Sequence, residues 1–147
     1  MINLRTLFAV TLLSTAVFSS AQAAPNSETL RRLGNQLSED FAVCSAFYMI
    51  SAEGAKNRGD ISGLQMVALA EASAVKAIAM AKRLSYAIGQ KSDVPMIRYR
   101  ENHRSLLDEM GRDFVNYSVL SARYLRNCAY LMRDPEAVVV QRMGLVE

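Results

Sequence analysis

The chain has 147 residues, with 17 lysines and arginines against 14 aspartates and glutamates and a formal net charge of +3. So close a balance makes no electrostatic case for a nucleic-acid or anionic-membrane partner. No Gly/Ser linker, repeat or low-complexity stretch divides the chain, which predicts one domain around one core.

Met1 to Arg5 carries one positive charge, and the apolar run Leu7 to Phe18 ends in Ser19-Ser20 before Ala21-Gln22-Ala23. The run is too short for a spanning helix, which needs about twenty apolar residues, and small side chains at alternate positions suit a signal peptidase. The expectation is a signal peptide over 1–23, cleaved after Ala23, and a periplasmic or secreted mature protein over 24–147. Removing Arg5 leaves sixteen basic against fourteen acidic side chains, or +2.

In the mature part, Leu30, Leu33, Leu37, Phe41, Cys44, Phe47 and Tyr48 recur in steps of three and four, which predicts a first helix from about Ser27 to Lys56. Ser27 is the expected cap, with Glu28 favourable at the positive end of the helix dipole. After Asn57-Arg58-Gly59-Asp60, with Asp60 as cap, a second helix is expected from Ile61 to Ile88, ending at Gly89. It holds eight alanines between Ala68 and Ala87 and few long polar side chains, so it is expected to be the most buried helix. Glu71 and Lys76 at its middle argue against stable membrane insertion.

The third segment begins at Asp93-Val94-Pro95 and carries the stripe Tyr99, His103, Leu106, Met110, Phe114, Tyr117, Ser121, Tyr124, Cys128 and Leu131. Its rhythm reads as one long helix to about Arg133, with a kink at Gly111 as the alternative. Arg104–Asp108 and Asp108–Arg112 are spaced as i,i+4 ion pairs. The basic residues Lys91, Arg98, Arg100 and Arg104 are interleaved or followed by Glu101, Asp108, Glu109 and Asp113, which reads as a solvated mixed face. Beyond Asp134-Pro135, the apolar tail Ala137 to Val146 predicts a last helical turn or two. Nothing in the mature chain alternates as a strand does. The fold expected is all-α, an antiparallel bundle of three long helices plus the tail, or four helices if the third breaks.

Two cysteines remain after export, Cys44 and Cys128, and an oxidising compartment favours a disulfide between them. A straight three-helix bundle sets their heights roughly 27 Å apart, whereas a disulfide tolerates only about 4.4 to 6.8 Å between α-carbons. Either the third segment bends back, with a break between Gly111 and Ser121 preferred, or the bridge joins two chains, or there is none.

No catalytic, metal or cofactor residues are assigned. His103 is the only histidine, and a haem site would need a ligand such as Met66, Met80, Met96 or Met110 brought beside it; packing is the expected role of all five. Glu71, in apolar surroundings, is expected to pair with Lys76 or with an arginine of another helix. Asn116-Tyr117-Ser118 has the spacing of a glycan acceptor but falls within a helical pattern. The aromatic residues Phe41, Phe47, Tyr48, Phe114, Tyr117, Tyr124 and Tyr130 are expected to fill the core between the first and third helices, with one edge free to form an interface. The functional expectation is a non-enzymatic bundle that binds a protein partner, of inhibitor, immunity or envelope-accessory type, with a homodimer left open. The alternative is a small-molecule or haem carrier with a cavity near His103.

Overall fold

The computed structural model describes residues 26–58 and 61–144, with only the backbone described at residues 58, 61 and 62. The expected leader 1–23 and the expected cap Asp60 lie outside the described residues. Five helices form, α1 Ser27–Arg58, α2 Ile61–Ala87, α3 Val94–Glu109, α4 Tyr117–Arg133 and α5 Pro135–Arg142, and a 3-10 turn Phe114–Asn116 leads into α4. No strand occurs among the described residues, and the fold is all-α.

α1 organises the rest. Leu37, Phe41, Cys44, Phe47 and Ile50 on its stripe are buried, and so are Ala42 and Ala46 between them and Ala52 and Ala55 beyond. Those alanines let α2 pack closely, because no side chain beyond Cβ separates the two backbones. Ser45 Oγ donates to the Ala74 carbonyl at 2.9 Å, and Ser38 Oγ donates to the Ala81 carbonyl at 3.1 Å. Going up α1 from Ser38 to Ser45 means going down α2 from Ala81 to Ala74, so the two helices are antiparallel. α1 thus has helices on several flanks, whereas α2 packs mainly on α1. That corrects the expectation for α2: Ala74, Ala77 and Ala81 face inward, and the opposite face, with Ala68, Ala72 and Ala79, is open to solvent.

The capping residue of α1 is also corrected. Asn26, not Ser27, accepts the hydrogen bond, from the Thr29 amide to Oδ1 at 2.8 Å, because the helix begins one residue earlier than a Ser27 cap requires. At the other turn Gly89, at φ +73°, ends α2. The Gly89 amide reaches the Tyr86 carbonyl at 3.0 Å and the Gln90 amide reaches the Ser85 carbonyl at 2.8 Å, the paired bonds of a Schellman cap.

α3 packs on α1. Arg98 pairs with Glu39 at 3.0 Å and Asn102 donates to the same carboxylate at 2.8 Å, while His103 meets Glu53 at 3.3 Å. The long third helix is also corrected, in favour of the break. Gly111 at φ +66° and Arg112 at φ +57° stop α3 with a second Schellman cap, Arg112 amide to Leu107 carbonyl at 2.8 Å. Asp113 then accepts from the Val115 amide at 2.9 Å and starts the turn into α4. The apolar rhythm survives the break because the helices on both sides of it pack on α1, so periodicity alone could not reveal it. α5 is the expected tail helix, capped by Asp134 at the Ala137 amide, with Val138 buried.

Candidate functional site

With the chain reversed at Met110–Asn116, α4 runs back along α1. Ser51 Oγ and the Tyr117 hydroxyl are 2.7 Å apart at one end, and Cys44 and Cys128 are joined at the other, with α-carbons 5.3 Å apart. The disulfide is therefore within one chain. Phe47 sits between these points, fully buried, with ring centroids 6.1 Å from Tyr117 and 6.2 Å from Tyr124. Of the tyrosines on this seam, Tyr117 is paired with Ser51 and Tyr124 donates to Glu109 at 2.9 Å. Tyr48 also touches Phe47, but its hydroxyl makes no hydrogen bond among the described residues. Burial, and then the neighbouring Tyr117, push the Tyr48 phenol above its ordinary range, so it stays protonated and can donate.

Other residues singled out by the sequence do not converge. His103 Nε2 lies 3.3 Å from Glu53 Oε1 and its ring 5.9 Å from Tyr99, at the boundary of the core. Met110 is buried, Met80 lies under Arg83, Met66 lines a hollow with Phe114 and Val115, and Met96 lines a different one with Met49 and Tyr99. No group of three or more His, Cys, Asp or Glu side chains is arranged to hold a metal among the described residues. Glu71 pairs on the outer surface with Lys56 of α1 at 2.6 Å, which corrects the expectation of Lys76 or an arginine. Of the two i,i+4 pairs expected on α3, Asp108–Arg112 forms at 2.8 Å. Asn116 uses its side-chain amide to bond the Met110 carbonyl at 3.1 Å, so this would-be glycan acceptor holds the turn together.

One polar cluster has no counterpart in the sequence-based reading. The hydroxyls of buried Ser38 and Ser85 lie 2.8 Å apart, Ser85 donates to Gln90, Gln90 donates to Asn35, and Arg98 donates to Asn35 at 2.7 Å while pairing with Glu39 at 3.0 Å. The chain of bonds ties α1, the α2–α3 turn and α3 into one unit. Each member is an ordinary polar residue, and only the fold brings them together.

Two surfaces stand out. The first is the outer face of α2, where Leu64, Leu69, Val75 and Tyr86 project, with Leu69 71% and Tyr86 86% exposed. Gly63–Ala87 is the one helix among the described residues that is long and apolar enough to cross a membrane by length and composition, yet only 28% of its most apolar 18-residue stretch is buried. The second is a groove of about 990 Å³ where α4 passes Tyr48 of α1, lined by Tyr48, Ala122, Arg126, Tyr130, Met132 and Arg133. Its signal was present in the sequence: α4 holds three arginines and no acid. The near-neutral total concealed it.

These features define a class, a single-chain all-helical protein stapled by one buried disulfide, a bond that fits an oxidising environment. No family model, curated protein or solved structure matches the chain.

Proposed function

We propose that this is an exported, non-catalytic helical protein, periplasmic or secreted, that acts by binding another protein through the outer face of α2. One observation carries the reading. The most apolar helix of the fold turns Leu64, Leu69, Val75 and Tyr86 to solvent rather than to the core. Extended apolar surface of this kind is unfavourable in water and marks recognition surfaces in folded proteins. Exposed Ala68, Ala72 and Ala79 between the large side chains leave room for a partner backbone to approach. Export is supported by the leader pattern over 1–23 and by the disulfide, which persists in oxidising compartments.

The test is site-specific photo-crosslinking from α2 in the native cell envelope, with the photo-reactive side chain placed at Leu69 or Ala72. A discrete adduct with one other protein is the expected result. Adducts with lipid only, or none, would overturn the reading, and an adduct of twice the chain's mass would reassign the face to self-association. The carrier alternative lacks comparable support: the methionines named for it are dispersed, and the hollow beside Met96 is about 190 Å³, smaller than the roughly 300–1,000 Å³ of ordinary ligand sites.

A further inference from the structure

The cations of this molecule are not spread evenly. α2 and α4 together carry Lys76, Lys82, Arg83, Arg123, Arg126 and Arg133 against a single acid, Glu71. Some of these charges are engaged within the fold. Arg83 pairs with Glu136 at 2.9 Å, and Arg123 pairs with Glu109 at 2.9 Å while lying over the Tyr124 ring. Arg126 and Arg133, both exposed, make no ion pair or hydrogen bond among the described residues. They stand two helical turns apart on α4, about 10.5 Å along its axis, and both line the groove over Tyr48.

The floor and walls of that groove are set in advance. Cys128 lies between two groove residues, Asn127 and Ala129, and its bond to Cys44 fixes this stretch of α4 against α1. Tyr130 is held at the rim by its hydroxyl, which donates to Gln141 at 3.3 Å, and by the Arg142 guanidinium 5.9 Å from its ring. Tyr48 offers an unengaged hydroxyl, and Met132 an apolar contact. Arginine and tyrosine around a partly apolar hollow is the composition of protein-recognition hot spots, because both give large contact area and directional bonds. A hollow is also what separates a protruding chain from a lipid surface: a flat bilayer would meet the outermost arginines but not Tyr48 on the helix beneath.

We propose that this groove binds an acidic segment of a partner protein, with two carboxylates on Arg126 and Arg133 and an apolar side chain over Met132 between Tyr48 and Tyr130. The guanidinium forks suit bidentate bonds to carboxylates, and the spacing matches acids two turns apart on a helix, or an equivalent extended stretch. The proposal concerns a different face from that of α2 and stands or falls separately. Crosslinking from Leu69 tests the one, and binding at α4 tests the other.

The probe is a fluorescein-labelled helical peptide with glutamates seven residues apart flanking a leucine, compared with the same peptide carrying glutamines. Fluorescence anisotropy with the oxidised protein should show saturable binding of the glutamate peptide that weakens as salt rises. The double variant Arg126→Glu/Arg133→Glu should weaken binding by about tenfold or more. Arg126→Gln/Arg133→Gln should weaken it less, and the charge-matched control Arg31→Glu/Arg32→Glu, on exposed positions of α1, should leave it unchanged. Circular dichroism melts establish that each variant is folded. Three results would each overturn the proposal: no saturable binding of the acidic peptide, equal loss in the control, or dependence on Arg126 and Arg133 seen only with vesicles of phosphatidylglycerol and phosphatidylcholine.

Discussion

Replacing both cysteines by alanine removes a bond that closes a loop with a sequence separation of 84, enclosing all of α2 and α3. In the chain-entropy account, the bridge acts by restricting the unfolded chain, and a loop of this length corresponds to about 4.5 kcal/mol at 25 °C. Cys44 and Cys128 are 0% and 1% exposed, so the alanines also leave a small void where the sulfurs packed, which adds to the loss. Against a total stability of about 5–15 kcal/mol for a domain, the variant should be marginal. The assay is urea unfolding followed by circular dichroism, with and without reductant. For a slope near 2 kcal/mol per molar, the midpoint should fall by roughly 2 M on substitution or reduction, while the slope of the oxidised protein stays the lower because its unfolded state is more compact. A midpoint shift below about 0.5 M would refute the reasoning, and so would two titratable thiols in the unfolded, unreduced protein.

Three further outcomes follow from particular residues. Gly111→Ala introduces a Cβ that meets only Asn116 Nδ2, at 4.0 Å, so its cost is backbone strain at φ +66°; a loss of about 1 kcal/mol is expected in urea unfolding, with Gly111→Asn milder. Ser45→Ala removes the hydrogen bond to the Ala74 carbonyl and should cost about 1 kcal/mol; a stabilised variant would show that the bond does not matter to the α1–α2 contact. Burial raises the Asp40 carboxyl above 3.8, more than the paired Arg142 lowers it. A raised acid pKa means that the folded state holds its proton longer than the unfolded one, so Asp40 contributes a loss of stability as pH rises through that interval. The urea midpoint of Asp40→Asn relative to the parent should therefore improve as pH climbs from about 3.8, and a difference that does not change with pH would contradict the assignment.

Much of this architecture is legible in the residues. Steps of three and four place Phe41, Phe47, Leu106, Met110 and Leu131 where burial is found, and Gly89 and Pro135 mark turns where the chain turns. The cysteine spacing carried more. A straight third helix would hold Cys44 and Cys128 far apart, so an intrachain bond demanded a reversal, and the reversal lies at Met110–Asn116. The exposed face of α2 was hidden because composition reports how apolar a helix is but not how many neighbours it has. The groove over Tyr48 was hidden for a related reason: Arg126 and Arg133 belong to a surface only after α4 has been laid on α1.

From its residues alone, the chain determines that it is helical, where most helices begin and end, and which stripe of each seeks the core, since capping, propensity and periodicity act within a few residues. The tertiary structure decides which helix lies innermost, which way α4 runs and which charges stay unpaired. Those outcomes depend on contacts between residues far apart in sequence, and for such contacts the physical determinant is the shape of the neighbouring surface.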